Sequence, residues 1–321
     1  MGQECGCTYS AADTNDEVKA HQSNPQRHDT PGSAPVLQAP NSQQKQSDTK
    51  SKTSKHKPRV SIDDPEFQQQ LQKKVQALGL VKTSIVVSPD TGAQYSGYLD
   101  QQNFKQAWGE QVWPDGGRYE GEWLNNQATG QGKFWHADGD KYEGEWLNDK
   151  ASGYGVYYHA DGATYRGYWL EDKQHGHGLE QWIDGSSFEG EYVEGKKEGT
   201  GTYNWVDGST FTGGWSNNKI NGYGVYTWPD GRKFKGDWLD NNMHGEGLYS
   251  WPDGRTYQGA YINDKKHGKG RYRWTDGREY NGDWYMGKQH GQGTYRFADG
   301  HTRVGVWVEG KRTKWLDERS D

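Results

Sequence analysis

The 321-residue chain is short of aliphatic side chains: Leu, Ile, Val and Phe together number 39. A doubly wound parallel sheet or a helical bundle needs far more of them, so neither is expected. Cysteine is almost absent, and both copies, Cys5 and Cys7, sit at the start of the chain. They are too close together, and too far from the rest, to staple a fold, which points to a reducing, intracellular setting. No apolar run approaches about 18 residues, so no membrane-crossing helix is expected. No apolar stretch follows Met1 as a secretory signal would require. Charge of either sign is also modest. The formal net value of −6 gives no reason to expect a nucleic-acid partner.

What the chain has instead is 16 Trp, 21 Tyr and 46 Gly. All of the Trp, 20 of the Tyr and 41 of the Gly lie from Tyr95 onward. Residues 1–94 are therefore a different material from residues 95–321.

An aromatic-x-Gly-x-aromatic pattern returns every 23 residues, beginning at Tyr119, Tyr142, Tyr165, Phe188, Phe211, Phe234, Tyr257 and Tyr280. An earlier copy starts at Tyr95 and is one residue longer, which makes nine units over residues 95–302. A last copy at Arg303 keeps Gly305 and Trp307 but has lost the leading ring. Each regular unit continues with Gly-x-Gly, as at Gly130 and Gly132, and closes on Asp-Gly, as at Asp138 and Gly139.

Tyr119, Gly121 and Trp123 alternate with Glu120 and Glu122, which is the period of a half-buried strand. The Gly-x-Gly opens a second strand that ends in aromatics, such as Phe134 and Trp135. Trp113-Pro114-Asp115-Gly116, repeated at Trp228 and Trp251, reads as a type I turn closed by a left-handed Gly. A helix is excluded, since two or three Gly in every dozen residues would each cost about 1 kcal/mol. Gly121, lacking a side chain, leaves a notch in which a neighbouring ring lies on the backbone. One hairpin cannot bury its rings alone, so the hairpins stack and stability is roughly nearest-neighbour. The expected fold is all-β: an elongated, twisted single antiparallel sheet of tandem 23-residue hairpins. Its eighteen strands at about 4.8 Å each would extend on the order of 85 Å.

The strings YEGEWLNNQATGQGKFWHADGDK (119–141) and FKGDWLDNNMHGEGLYSWPDGRT (234–256) resemble the MORN (membrane occupation and recognition nexus) repeat family. The resemblance covers 208 of the 321 residues. It implies an array of antiparallel hairpins. It also implies scaffolds, dimerising rods, membrane-proximal or cytoskeletal parts, or appendages to separate catalytic domains, with phosphoinositide binding often ascribed to the repeats. The Tyr95 unit departs from the pattern, with Ala107 in place of the first Gly, and so does the Arg303 unit. Both read as capping units.

Residues 1–60 are rich in Gln, Ser, Asn, Pro, Lys and Thr and are expected to be a disordered tail. Its start fits N-myristoylation at Gly2, although Gly6 stands where Ser or Thr is preferred. Cys5 and Cys7 would be palmitoylated and supply the second anchor that one myristoyl chain needs. Lys50, Lys52, Lys55, Lys57 and Arg59 form a basic run suited to an anionic membrane surface. Residues 61–94 hold a short capping helix and a lead-in strand. Asp64 caps the helix, Pro65 suits its first turn and Gly79 its exit. Phe67, Leu71, Val75 and Leu78 share one face. The helix reads as a lid over the open edge of the first hairpin, or else as a partner-binding helix. Residues 303–321 form the degenerate C-terminal cap and tail.

No catalytic residues, cofactor or metal centre are expected. His175, His244, His267 and His290 recur at one offset, about 10 Å apart in adjacent units, too far to share a metal, and read as turn residues before Gly. His175 and His177 lack a third ligand. Asp138 and Asp161 are explained by their turns. No Gly loop precedes a helix as phosphate binding requires.

Charge divides the array. Residues 119–210 hold 7 Lys/Arg against 17 Asp/Glu, whereas residues 211–302 hold 13 against 10. Arg232, Lys233, Lys235, Lys265, Lys266, Lys269, Arg271, Arg273 and Arg278 form a candidate face for an acidic ligand. The function expected first is a non-catalytic scaffold or adaptor, tethered through the acylated N-terminus and organising proteins at a membrane, ciliary or cytoskeletal structure. The alternatives are a phosphoinositide-binding module on the basic repeats and a regulatory or targeting subunit of a separate enzyme such as a lipid kinase. Expected partners are other proteins along the ribbon, an anionic membrane, and further copies as a homodimer or head-to-tail assembly. The expected location is cytoplasmic and peripheral to a membrane, cilium or cytoskeleton.

Overall fold

The computed structural model describes residues 64–316. The tail, with Gly2, Cys5, Cys7 and the run from Lys50 to Arg59, lies outside the described residues. The described chain forms two compact units, divided between Lys196 and Lys197.

The first unit opens with helix α1 (Pro65–Leu78) and continues as ten strands. They are β1 (Val81–Val87), β2 (Gln94–Leu99), β3 (Lys105–Val112), β4 (Arg118–Leu124), β5 (Gln127–Trp135), β6 (Lys141–Leu147), β7 (Lys150–Tyr158), β8 (Thr164–Leu170), β9 (Lys173–Gln181) and β10 (Ser187–Val193). The second unit holds β11 (Lys196–Asn204), β12 (Thr210–Ser216), β13 (Lys219–Thr227), β14 (Lys233–Leu239), β15 (Asn242–Ser250) and β16 (Thr256–Ile262). It ends with β17 (Lys265–Arg273), β18 (Glu279–Tyr285), β19 (Lys288–Arg296), β20 (Thr302–Val308) and β21 (Lys311–Trp315). Within each unit every strand pairs antiparallel with its neighbours in sequence. This is the expected all-β array of tandem antiparallel hairpins with one short N-terminal helix.

Two kinds of turn alternate. Between hairpins, the Trp113 amide donates to the Gly117 carbonyl at 2.8 Å and the Gly116 amide to the Trp113 carbonyl at 3.0 Å. Asp115 accepts from the Gly117 amide at 2.9 Å, and Gly116 is left-handed at φ 95°. This is the type I turn with its closing glycine, as expected. Asp138 and Asp161 do the same work for the Asp140 and Ala163 amides.

Inside each hairpin the second turn was not legible as such. Asn125 and Asn126 are both left-handed, at φ 50° and 70°, as are Asn148 and Asp149, and Asn217 and Asn218. These are two-residue type I′ turns, whose twist matches the flanking strands. Each second strand therefore starts three residues before the Gly-x-Gly, at Gln127 or Lys150 rather than at Gly130 or Gly153.

The type I′ turn also joins consecutive hairpins. The Asp264 amide donates to the Met243 carbonyl at 3.0 Å, and the Asp264 carboxylate accepts from the Met243 amide at 2.8 Å. Asp149 binds Ala128 in the same way, and Asn241 binds Ile220. Burial raises the Asp264 carboxyl above its ordinary value, with the Met243 amide pulling the other way. The folded state then holds this proton to a higher pH than the unfolded chain does. Stability falls as pH rises from about 4 through the raised value and stays lower above it. Asn makes the same bond without the desolvated charge. Asp264→Asn should therefore raise Tm at pH 7.5, with the charge-dependent gain shrinking as the pH is lowered through the raised value and gone below about 4. Thermal unfolding followed across that range checks it, and a gain that does not vary with pH would refute the charge argument.

The core is one layer of rings. In both units the leading aromatic lies over the glycine pair of its own hairpin, not over that of a neighbour, as at Tyr119, Tyr165, Phe211 and Tyr280. A Cβ on Gly144 would stand 2.5 Å from Tyr142 Oη and 2.5 Å from the Gly155 Cα across the ladder. A bulge after Gly144 bends the strand, and the Tyr142 hydroxyl donates to the Glu145 carbonyl at 3.0 Å. A leading ring then meets an aromatic of its own hairpin and one of the next. Tyr119 reaches Trp123 at 5.0 Å and Trp146 at 5.1 Å, and Tyr257 reaches Tyr261 at 5.2 Å and Trp284 at 5.1 Å. Trp123 and Trp284 also donate their indole N–H back to the Gly109 and Gly270 carbonyls of the preceding hairpin.

Helix α1 is capped as expected. Asp64 accepts from the Glu66 amide at 2.8 Å, Pro65 sits in the first turn, and Gly79 is left-handed at φ 59°. Phe67, Leu71 and Val75 pack with Leu80, Ala107, Tyr98 and Trp108, and the Phe67 and Trp108 rings meet edge to face at 5.1 Å. Leu78 does not join them and is 52% exposed. The helix is not an edge lid either. It lies against β3, while β1 takes the edge and pairs with β2. The residues after Gly79 make a strand of their own, which leaves the helix to cover Trp108 instead. Ala107 keeps the left-handed conformation, φ 58°, that Gly130 has at φ 60°.

Candidate binding faces

Strand alternation gives the sheet of each unit two unlike faces. The ring face is occupied by its own side chains. Between the rings, one position per hairpin carries Lys105, Ala128, Ala151 and Gln174 in the first unit, and Lys197, Ile220, Met243, Lys266 and Gln289 in the second. Lys266 holds its ammonium 5.0–5.2 Å from the rings of Trp251, Tyr257, Tyr272 and Trp284. This is cation–π geometry with four rings at once. Lys105 lies over Trp123 at 4.5 Å and Tyr95 at 5.2 Å, and burial pushes it down to about 8. Burial also pushes the Tyr119 and Tyr142 phenols well up, so both remain hydrogen-bond donors.

The nine basic residues expected to form one face are spread over several environments. Arg232 pairs with Asp230 at 2.6 Å and Arg278 with Asp276 at 2.6 Å, each bracing the turn in which it sits. On the outward face of β17, Lys269 pairs with Asp283 at 2.6 Å, Arg273 with Glu279 at 2.7 Å and Arg271 with Glu279 at 3.5 Å. Lys266 points the other way, among the rings. Lys233 and Lys235 are exposed on the outward side of β14, and Lys265 opens β17. Sequence spacing could not separate these roles, because a one-residue step along a strand changes the face.

The four recurring histidines are not turn residues. His175, His244, His267 and His290 each stand third in a second strand, in β9, β15, β17 and β19, on the outward face. The early strand start set by the type I′ turn puts them there. His177 reaches Glu189 at 3.8 Å. Among the described residues no cluster of three or more His, Cys, Asp or Glu is placed to hold a metal ion, and no described helix is long and apolar enough to cross a membrane.

The outward face of the first unit is the more acidic. Glu120, Glu122, Glu143, Glu145, Glu189 and Glu191 all stand on it. Arg118 and Lys141 pair with Glu120 and Glu143, both at 2.9 Å. Glu122 accepts from the Gln131 amide at 3.0 Å. Chemically, the outward faces offer carboxylates, ammonium groups and apolar side chains at fixed intervals, which suits recognition of a long partner.

The MORN repeat profile matches residues 119–141, 142–164, 165–187, 188–210, 211–231, 234–254, 257–277 and 280–302. No curated protein matches the chain. Among solved structures, it is similar to the TCP10 domain of Danio rerio CPAP, at 15% identity over 64% of this chain and 98% of that one, with a TM-score of 0.36. It is also similar to the SAS-4 (dCPAP) TCP domain in complex with a proline rich motif of Ana2 (dSTIL) of Drosophila melanogaster. That match has 15% identity over 65% of this chain and 99% of that one, with a TM-score of 0.31. Each of the eight matched repeats starts on an aromatic residue, and together they span more than half of the chain, which belongs to the MORN repeat family.

Proposed function

We propose that this chain is a non-catalytic MORN-repeat scaffold or adaptor, held at a membrane by acylation of Gly2 with Cys5 and Cys7, that organises proteins at a membrane, ciliary or cytoskeletal structure. One observation carries the reading. The ring face is spent on joining hairpin to hairpin, while the outward face presents charged, polar and apolar side chains at constant intervals. Such a surface suits holding a long partner in register, not enclosing a small substrate.

Lipid recognition by the basic repeats has less support. Five of the nine basic residues already pair with carboxylates of their own sheet, and a sixth, Lys266, lies among rings. The full-length chain made without acylation should stay in solution in the presence of anionic vesicles, and Gly2→Ala should release the protein from cell membranes. Membrane partition that survives Gly2→Ala would remove the tether, and headgroup-selective flotation of the unacylated chain would favour lipid recognition over the scaffold.

A further inference from the structure

The first strand of each hairpin ends on an outward residue beside the type I′ turn. In the first unit these residues are Leu124, Leu147, Leu170 and Val193, exposed by 50, 56, 50 and 47%. They stand on the side of the sheet opposite the buried rings of Trp123, Trp146, Trp169 and Tyr192. Consecutive members are two strand spacings apart, about 9.4–9.8 Å. Two residues back along the same strands are Glu122, Glu145 and Glu191, so a row of carboxylates runs beside the apolar column at roughly 7 Å. Tyr168 takes the corresponding place on β8, and its ring meets Tyr154 of β7 at 5.6 Å.

The period selects the ligand. A polyproline II segment advances about 3.1 Å per residue with three residues per turn, so every third side chain returns to one side after about 9.3 Å. A β-strand reaches that distance in three residues but with the side chain on the opposite side. An α-helix needs seven residues and about 10.5 Å, and falls out of step by roughly 1 Å per hairpin. Aromatic side chains beside the column suit the polyproline II form as well.

We propose that the outward face of β4–β10 docks an extended polyproline II segment of a partner protein, with an apolar residue at every third position and Lys or Arg between them. The apolar residues lie against the Leu column and the basic ones against the Glu row. This rests on the scaffold reading and names its class of partner. The second unit does not offer the same surface. Ser216 interrupts its column, the places of the carboxylate row hold Asp237, Ala260 and Asp283, and Asp283 is already bound to Lys269 at 2.6 Å.

The test uses the full-length chain and two labelled peptides, read by fluorescence anisotropy at low salt. One has four Leu-Pro-Lys triplets; the other has the same composition with Leu at every fourth position. The triplet peptide should bind about tenfold more tightly, and Leu147→Ser with Leu170→Ser should remove about tenfold. Glu145→Gln should weaken binding and lower its salt sensitivity. Leu239→Ser with Ile262→Ser should change nothing. The Leu variants should keep the Tm of the parent, since their side chains are half exposed. Equal binding of both peptides, no binding, indifference to the Leu147 and Leu170 changes, or preference for a heptad-patterned helical peptide would overturn the proposal. None of these outcomes touches the Gly2→Ala partition, so the scaffold reading stands or falls separately.

Discussion

Gly144→Ala should cost about 3 kcal/mol, the upper end of what an added methyl in a closed core does. The reason is geometric. The new Cβ would stand 2.5 Å from Tyr142 Oη and 2.5 Å from the backbone Cα of Gly155. The ring cannot swing away, because its hydroxyl is bound to the Glu145 carbonyl at 3.0 Å and its faces touch Trp146 and Trp169 at 5.2 Å each. Gly155 cannot retreat without breaking the ladder it shares with Gly144. The damage should be local, since each hairpin rests on its neighbours. Urea denaturation gives the stability loss, and limited proteolysis should show new cleavage around β6 and β7. Leu147→Ala, three residues away but half exposed, should stay within about 0.5 kcal/mol of the parent. Similar losses for the two substitutions would mean that the glycine pair is not what holds the ring.

Trp146→Ala should be at least as severe, about 3–5 kcal/mol. Trp146 is 6% exposed and is the residue through which one hairpin meets the one before it. Its ring stands 5.1 Å from Tyr119 of the preceding hairpin and 5.2 Å from Tyr142 of its own, edge to face in both cases. Truncation removes both contacts, together with a looser one to Phe134 of the preceding hairpin at 6.2 Å, and leaves Tyr119 with the Trp123 ring alone. A double-mutant cycle with Tyr119→Leu isolates the Tyr119–Trp146 contact, and a coupling of about 0.5–1.5 kcal/mol is expected for such a ring pair. Additive losses would show that the rings bury area without recognising each other. Hydrogen exchange adds a spatial check. Protection should fall on both sides of the substitution, in β4–β5 and β6–β7, and less further along the unit.

The recurring pattern made the architecture legible because the repeat is itself the cause of the fold. Tyr119, Gly121 and Trp123 alternate at the period of a strand, and the Trp113-Pro114-Asp115-Gly116 turn can be read from four residues. The helix cap at Asp64, Pro65 and Gly79 was equally plain. The type I′ turns were harder, because Asn125-Asn126, Glu171-Asp172 and Met286-Gly287 share a conformation but no single sequence. It is these turns that place the recurring histidines in strands. Asn and Asp at these places were the available signal, since they tolerate left-handed backbone better than other side chains. What the helix covers is not legible in the sequence, because amphipathicity shows which side of a helix is buried, not what buries it. The candidate basic face was the least legible feature. Charge along a chain does not show which residues a neighbouring strand will neutralise.

By itself the sequence determined the hairpin, its length, its ring-and-glycine face and its family, because each depends on contacts between residues close together in the chain. The tertiary structure alone decided which side each charge occupies. It paired Lys269, Arg271 and Arg273 with β18, turned Lys266 into the rings, and aligned Leu124, Leu147, Leu170 and Val193 beside the Glu row. Those outcomes depend on register between strands, where a shift of one residue reverses every side chain.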